Sequence, residues 1–220
     1  MTTSKQETTI LAATEDMVRN QLAAEPSGHD WWHIYRVYQL ATRLAKEEGA
    51  NLFICQMAAL LHDLADAKIA DSEEMGLAQV AAWLEEQKLP EPETADILWI
   101  IQHISYKAGS QEEIPLTLEA KVVRDADRLD AMGAIGIART MAYSGAHGRL
   151  IHDPNLQPRQ QMSLAEYRSN QGTAILHFHE KLLKLKQNMQ TKTGKEMAIH
   201  RHAVMEKFLE EFHQEWNGKR

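Results

Sequence analysis

Residues 58–66 read Ala58-Ala59-Leu60-Leu61-His62-Asp63-Leu64-Ala65-Asp66, which places a histidine beside a carboxylate inside an otherwise apolar helical run. Burying a polar group without a partner costs about 2 to 7 kcal/mol, and a carboxylate is costlier still. A bound cation would offset this cost, because neutral imidazole and carboxylate are both metal ligands. Asp66 lies one turn beyond His62, so it faces the same region. The stretch therefore predicts a buried metal site whose remaining ligands come from elsewhere in the chain.

The composition is that of one soluble domain, since 44% of the 220 residues are hydrophobic and 25% are charged. The net charge of −7 argues against binding to duplex nucleic acid or to an anionic membrane, because both need basic surfaces. The single cysteine, Cys55, excludes an internal disulfide and a cysteine-rich zinc site. The sequence has no signal-peptide pattern and no apolar run of about 18 residues. We therefore expect a cytoplasmic protein without a membrane span.

Helical periodicity without a strand pattern predicts an all-α bundle that forms one domain over residues 1–220, with core motifs in 20–140 and a helical C-terminal part at 163–216. The predicted helices span about 7–24, 30–48, 51–66, 72–88, 92–105, 117–145 with a break, 163–189 and 194–216. Thr193 and Glu196 have capping-box spacing at the start of the last helix. Residues 146–162 form a long connection, and connections of that length are more often functional or mobile than ordinary.

Three His-Asp dipeptides occur, so the dipeptide alone has little specificity. In His29-Asp30 the aspartate is expected to cap the helix that follows. His152-Asp153 precedes Pro154 and is expected to form a turn. Only His62-Asp63 lies inside an apolar helix, where a satisfied core pair would require two further buried partners. Metal binding is therefore the favoured interpretation at His62-Asp63.

Other candidate ligands are less clear from spacing alone. His33 follows Trp31-Trp32 at a helix start, where a lone histidine is more often a polar surface residue. Asp125 and Asp127 are two residues apart and point to nearly opposite sides of a helix, so at most one of them shares the buried side. Periodicity does not choose between these two carboxylates.

The ordered set His33, His62-Asp63 and Asp127 resembles the H…HD…D signature of the HD-domain phosphohydrolase superfamily. The flanking sequences are also similar to those of small bacterial members, and they read Gly28-His29-Asp30-Trp31-Trp32-His33 followed by Arg36-Val37, Leu60-Leu61-His62-Asp63-Leu64 and Asp125-Ala126-Asp127-Arg128-Leu129-Asp130-Ala131. The C-terminal segments His177-Phe178-His179-Glu180-Lys181-Leu182-Leu183-Lys184-Leu185 and Thr193-Gly194-Lys195 resemble a subfamily in which some members hydrolyse nucleoside triphosphates. The resemblance covers residues 20–216 approximately.

This resemblance implies a single HD domain in which His33, His62, Asp63 and Asp127 hold a divalent metal ion, such as Mn²⁺, Mg²⁺ or another transition metal. Such an ion lowers the pKa of water toward ~7 and neutralises phosphate charge. The implied function is metal-dependent hydrolysis of a small phosphorylated metabolite, with a nucleotide favoured and a nucleoside triphosphate converted to monophosphate and pyrophosphate. The alternatives are a phosphodiesterase or monophosphatase, and a non-catalytic metal-binding regulatory protein. A homodimer remains open.

The resemblance also assigns roles beyond metal binding. Asp63 is expected to act in catalysis as well as in metal binding, and Asp66 occupies the position of an acidic residue that transfers a proton in some nucleotide-cleaving relatives. The alternative for Asp66 is an exposed helix-end carboxylate. Arg36 matches the Arg-Val pair of the family and is expected to bind substrate phosphate.

Further substrate-binding candidates come from the remaining basic residues and one histidine. His103, within an apolar segment, either faces the substrate or is a satisfied core histidine. Lys107 and Lys181 are weaker candidates, together with Arg128 and Lys184, since most basic side chains are simply solvated. Cys55 lies two helical turns from His62, about 10 Å away, and is expected in the core rather than at the metal.

Overall fold

The computed structural model describes residues 4–23, 30–65, 72–104, 114–159 and 172–220. These ranges contain helices and no β-strand, which confirms the all-α fold class. The α-helices are α1 (Lys5–Gln21), α2 (Trp31–Glu48), α3 (Leu52–Leu61), α4 (Glu73–Glu86), α5 (Glu91–Ile104), α6 (Leu118–Asp130), α7 (Gly133–Ala146), α8 (Ala174–Glu180) and α9 (Lys192–Trp216). Two 3₁₀ helices span His62–Ala65 and Leu182–Asn188. None of the helices in the described ranges combines the length and apolarity needed to cross a bilayer.

The contacts of the described residues group into two compact units. The first contains the described residues up to 104 together with 115–127, and the second contains Ile114 and the described residues from 128 onward. The expectation of one domain over residues 1–220 stays a prediction.

Helix α3 forms the centre of the first unit. All ten of its residues are buried, and it packs against α1, α2 and α5. A helix that is apolar on every side is stable only when neighbours cover all of its faces. Asn51 caps it, because its side-chain oxygen accepts a hydrogen bond from the Ile54 backbone N–H at 3.2 Å. Because α3 lies at the centre of the unit, the residues that follow it are also inside the unit rather than at its surface.

The predicted helix at 51–66 differs from the structure at its C-terminal end. Helix α3 stops at Leu61, and the 3₁₀ helix His62–Ala65 continues the chain with all four residues buried. A 3₁₀ helix is wound more tightly than an α-helix, so consecutive side chains are spread further around its axis. His62 and Asp63 therefore belong to this tighter turn, and Asp66 lies outside the described residues.

Helix α2 has one buried apolar face and a capped N-terminus. Ile34, Val37, Ala41 and Leu44 are fully buried along one face. At its start, the Asp30 carboxylate accepts a hydrogen bond from the His33 backbone N–H at 2.8 Å, which confirms the expected cap.

The predicted break within 117–145 falls between α6 and α7. Gly133 has φ +69°, a conformation that suits glycine, and a methyl group there would lie 3.1 Å from the Arg201 side chain. A methyl group on Gly136 would lie 2.3 Å from the Ala131 carbonyl oxygen. Both glycines therefore permit close packing.

In the second unit, α9 packs against α7 and against the 3₁₀ helix Leu182–Asn188. The predicted capping box at Thr193 and Glu196 is wrong by two residues. Thr191 caps α9 instead, since its hydroxyl accepts a hydrogen bond from the Gly194 backbone N–H at 3.0 Å, while Thr193 is buried inside the first turn. The predicted helix at 163–189 is split within its described part into α8 and the 3₁₀ helix.

Candidate metal centre

Three separate segments of the first unit bring two imidazoles and a carboxylate together. His33 is the third residue of α2, His62 opens the 3₁₀ helix, and Asp127 lies near the end of α6. One ligand atom from each of these residues lies within 4.8 Å of the other two. The Asp127 Oδ1 atom is 3.5 Å from Nε2 of His33 and 3.9 Å from Nε2 of His62. These atoms are spaced so that one ion between them would contact all three.

The backbone fixes the orientation of the His62 ring. Its Nδ1 atom lies 2.8 Å from the Ala59 carbonyl oxygen, which can only accept a hydrogen bond, so Nδ1 carries the proton. In the neutral ring, Nε2 then presents a lone pair toward His33 and Asp127. This nitrogen is buried and has no hydrogen-bond partner among the described residues. A histidine held in this way by its second nitrogen is the usual arrangement of a metal ligand.

Asp63 lies beside both imidazoles but faces them with different oxygens. Its Oδ2 atom is 3.3 Å from Nε2 of His33, and its Oδ1 atom is 3.3 Å from Nε2 of His62. It is not one of the three residues whose ligand atoms lie within 4.8 Å of one another. Asp63 is therefore placed against the imidazoles, and its role as the fourth metal ligand stays a prediction.

The contact between the His62 lone pair and the carboxylate oxygens needs a positive charge. Two acceptors 3.3 Å apart repel each other unless a proton or a cation lies between them. A proton on Nε2 of His62 would have no well-directed acceptor in the described structure, because that atom makes no hydrogen bond. A cation needs no such directed bond from nitrogen to oxygen. The geometry therefore fits a metal ion better than a doubly protonated histidine, and imidazole with carboxylate is a donor set for divalent metals.

Asp125 and Asp127 separate as helical phase predicts. Asp125 is fully buried, whereas the side chain of Asp127 is 38% exposed. The carboxylate that reaches the two imidazoles is thus the more open one. Burial alone would have selected Asp125, which is not in the group of three residues whose ligand atoms lie within 4.8 Å of one another.

The structure places the other predicted residues less decisively. Asp66 and Lys107 lie outside the described residues. Arg36 is one turn beyond His33 in α2 and is partly buried. Lys181 belongs to the second unit, and no position relative to the imidazoles is assigned to it. The substrate roles of these residues stay predictions.

His103 and Cys55 are both held within the first unit. The His103 ring stacks on Trp99 at 4.3 Å, and its Nδ1 atom lies 2.7 Å from the Trp99 carbonyl oxygen. One side of the imidazole is therefore occupied, which is compatible with either of its two expected roles. Cys55 is fully buried, and burial raises the pKa of its thiol, as expected for a core residue.

Sequence reasoning did not identify the Ala59 carbonyl that orients His62. A carbonyl near the end of a helix lacks its usual intrahelical partner, so a histidine three residues later can use it. The Asp30 cap, which the sequence did predict, is a second link of this kind, because the Asp30 carboxylate accepts a hydrogen bond from the His33 backbone N–H. In both cases the signal in the sequence is a residue three positions before the histidine, Ala59 before His62 and Asp30 before His33.

An all-helical chain with imidazole and carboxylate groups gathered in this way has the features of a divalent-metal site. A family model described as the HD domain matches residues 31–132, a range that contains all four predicted ligands. YpgQ of Bacillus subtilis is 36% identical over 202 residues, which cover 91% of each chain. The chain therefore belongs to the HD-domain phosphohydrolase superfamily.

Solved structures agree with this assignment. A protein from Lactobacillus plantarum is 43% identical with a TM-score of 0.84, covering 96% of this chain and 98% of its own. An HD-superfamily hydrolase from Bacillus thuringiensis is 44% identical with a TM-score of 0.78 over the same shares. The crystal structure of B. subtilis YpgQ in complex with ADP gives a TM-score of 0.78 and 33% identity over 96% of each chain.

Proposed function

We propose that this protein is a metal-dependent phosphohydrolase that converts a nucleoside triphosphate to the monophosphate and pyrophosphate. The observation that carries the proposal is the buried His62 Nε2 atom, which has no hydrogen-bond partner among the described residues and faces His33 and Asp127. The nucleotide is favoured because the relative YpgQ was crystallised with ADP.

His33, His62 and Asp127 would hold the divalent ion, with Asp63 as the fourth ligand. When bound, such an ion acidifies water and neutralises phosphate charge. The two imidazole Nε2 atoms contribute no net charge, so the carboxylates set how much positive charge remains for an anionic substrate. The exposed part of Asp127 supports access for a substrate from solvent.

The remaining steps fall to side chains around the ligands. In the proposed reaction, the oxygen of a water molecule bonds to the α-phosphorus, the bond to the bridging oxygen breaks, and pyrophosphate leaves with that electron pair. Asp66 is the candidate to take the proton from the water. Arg36 is the candidate to hold phosphate oxygens, because its planar group can donate two parallel hydrogen bonds.

A product screen tests the function directly. The purified protein is incubated with a panel of nucleoside triphosphates and Mn²⁺, and phosphate, pyrophosphate and nucleotides are quantified. Pyrophosphate and monophosphate in equal amounts are expected, and Asp127→Asn should not produce them. Asp16→Asn, an exposed aspartate on α1, is the matched control and should retain full turnover.

The alternatives give different products in the same screen. Release of inorganic phosphate alone would indicate a monophosphatase and would overturn the proposed bond cleavage. Turnover only of phosphodiester substrates would indicate a phosphodiesterase. Metal bound in stoichiometric amount with no turnover on any of these substrates would favour the regulatory, non-catalytic alternative.

A further inference from the structure

A second group of charged residues lies in the second unit, where two backbone segments run side by side. The Ala174 backbone N–H donates to the Leu150 carbonyl at 2.9 Å, and the Ile175 N–H donates to the Ile151 carbonyl at 3.0 Å. These bonds hold the chain just after α7 against the start of α8. Arg149 is thereby fixed next to Gly172 rather than projecting from a free loop.

Two guanidinium groups converge at Gly172. A methyl group built on this glycine would lie 3.4 Å from Nη2 of Arg159 and 3.7 Å from Nη2 of Arg149. Gly172 also has φ +126°, a conformation that other residues adopt only with strain. Both guanidinium groups therefore end beside Gly172, at ordinary van der Waals distance from a methyl group built there.

The two arginines differ in how their charges are compensated. Arg159 donates from Nε and Nη2 to the two carboxylate oxygens of buried Glu180, at 2.7 and 2.9 Å, and its backbone N–H adds a third bond at 3.1 Å. Burial raises the pKa of Glu180, but these bonds outweigh it and hold the pKa below its usual value. In contrast, the Arg149 Nε atom is buried and has no hydrogen-bond partner among the described residues.

His177 lies close enough to Arg149, Lys181 and Glu180 for their charges to affect its pKa. Burial, together with the charges of Lys181 and Arg149, lowers the pKa of His177 to about 3, although Glu180 acts in the opposite direction. His177 is thus neutral at physiological pH. Burial is the largest cause of this shift, and the positive charges of Lys181 and Arg149 act in the same direction.

We propose that Arg149, with Lys181 and neutral His177 beside it, forms a binding site for a phosphate-class oxyanion. A buried N–H of a guanidinium group is a strong donor that needs an acceptor, and adjacent oxygens of a tetrahedral anion match the fork of arginine. Arg159 contributes positive charge while Glu180 holds its orientation. The site shares no residue with the metal group and does not rest on the proposed hydrolysis.

Equilibrium titration of the full-length protein tests the proposal. The protein is treated with a chelator and titrated with inorganic phosphate and with pyrophosphate in chloride buffer, with binding followed by calorimetry. Saturable binding is expected. Arg149→Gln should weaken it roughly ten- to a hundredfold, the effect of losing hydrogen bonds to a charged group. The exposed Lys207→Gln in α9, which removes the same charge, should leave the dissociation constant unchanged.

A second variant separates binding from folding. Arg149→Lys keeps the positive charge but loses the planar fork, so binding should weaken by several-fold while the helical circular dichroism spectrum stays that of the wild type. The absence of saturable binding by the wild-type protein would overturn the proposal. Equal affinities for the wild type and Arg149→Lys would also overturn it, because the fork would then have no role.

Two further titrations identify the source of the anion. If the chelated protein binds a nucleoside triphosphate in competition with pyrophosphate, and Arg149→Gln weakens both, the anion is the phosphate tail of a nucleotide. If only the inorganic anions bind, the ligand is a free anion. Both results support the site. Loss of anion binding in Asp127→Asn but not in Arg149→Gln would place the anion at the metal group and overturn the proposal.

Discussion

The metal group of the first unit and the arginine group of the second unit each contain a buried polar atom without a hydrogen-bond partner among the described residues, but the two atoms are of opposite kinds. His62 Nε2 is an acceptor, because Nδ1 carries the ring proton and donates a hydrogen bond to the Ala59 carbonyl oxygen. Arg149 Nε is a donor, because guanidinium stays protonated. We therefore propose a cation at the bare acceptor, which lies beside carboxylates, and an anion at the bare donor, which lies beside other cations.

This comparison shows why polar burial has to be interpreted together with the charge around it. The carboxylates of Asp63 and Asp127 surround the His62 lone pair. At the second region, burial and then the positive charges of Lys181 and Arg149 lower the pKa of His177, while Glu180 acts in the opposite direction. Several buried side-chain atoms of the described residues lack a hydrogen-bond partner, and among them we single out these two because the charges around them are of opposite sign.

The largest effect is expected for substitution of Asp127, because the proposed cation site depends on its carboxylate. Asp127→Asn removes a charged ligand from the only three-residue metal group among the described residues. Metal affinity should fall at least about 100-fold, the upper end of the loss caused by removing merely a supporting residue, and hydrolysis should reach background. Metal content after dialysis and turnover measure this effect.

Asp125→Asn is the control for helical phase. Asp125 is fully buried, so its substitution should lower the free energy of unfolding by about 1 to 3 kcal/mol while metal content stays near the wild-type value. The reverse ranking of the two variants for metal content would show that the wrong aspartate was assigned. Wild-type metal content in both Asp63→Ala and His33→Ala would contradict the four-ligand site.

The next prediction tests whether Asp66, in addition to the proposed metal ligands, takes part in catalysis. If Asp66 transfers a proton in the transition state, Asp66→Asn should lower kcat by about 10²- to 10⁴-fold with the metal still bound. If it is a helix-end carboxylate, kcat should change little. Turnover of metal-loaded protein at saturating substrate separates the two outcomes, with Asp16→Asn as the exposed control.

A smaller effect is expected at Arg36, which tests whether the first unit carries its own phosphate-binding arginine. Arg36→Lys should raise KM by about tenfold with kcat nearly unchanged, if the planar fork contacts phosphate equally in the ground and transition states. An unchanged KM would mean that Arg36 only steadies the helix that carries His33. Steady-state kinetics on the substrate found in the product screen give the answer.

The first region was predictable from the sequence, whereas the second was not. An apolar run such as residues 52–61 requires burial, so the His62-Asp63 pair within its continuation stands out from the residue pattern alone. His33 and Asp127 became visible only through their resemblance to a family signature, since helical phase left Asp125 and Asp127 undecided. The sequence could not predict the 3₁₀ helix at His62, because a segment that is apolar on every side shows no hydrophobic periodicity that would distinguish a 3₁₀ helix from an α-helix.

The arginine group has no comparable signal. Arg149 and Arg159 lie in a connection without periodicity, and Gly172 is far from them in sequence but next to them in space. Lys181 was the only member that the sequence indicated, and the reason was family resemblance rather than position. Contacts of this kind depend on the backbone pairing of 150–151 with 174–175, which no local pattern specifies.

The smallest effect is expected at His177 in the second region, whose pKa is lowered first by burial and then by the charges of Lys181 and Arg149. Its pKa is about 3 in the folded protein, against 6.5 for an unperturbed histidine, so the unfolded chain binds the extra proton at higher pH. Stability is therefore complete above about pH 7 and declines as the pH falls toward 3, by about 1 to 2 kcal/mol between pH 7 and pH 5 from this residue. Urea unfolding of His177→Gln should lack that part of the decline, whereas the exposed His200→Gln should retain it.

Phosphate at Arg149 would favour the charged imidazole and raise the pKa of His177, so adding phosphate should reduce the wild-type decline. An identical pH dependence in the wild type and His177→Gln would show that neither burial nor the neighbouring positive charges hold His177 neutral.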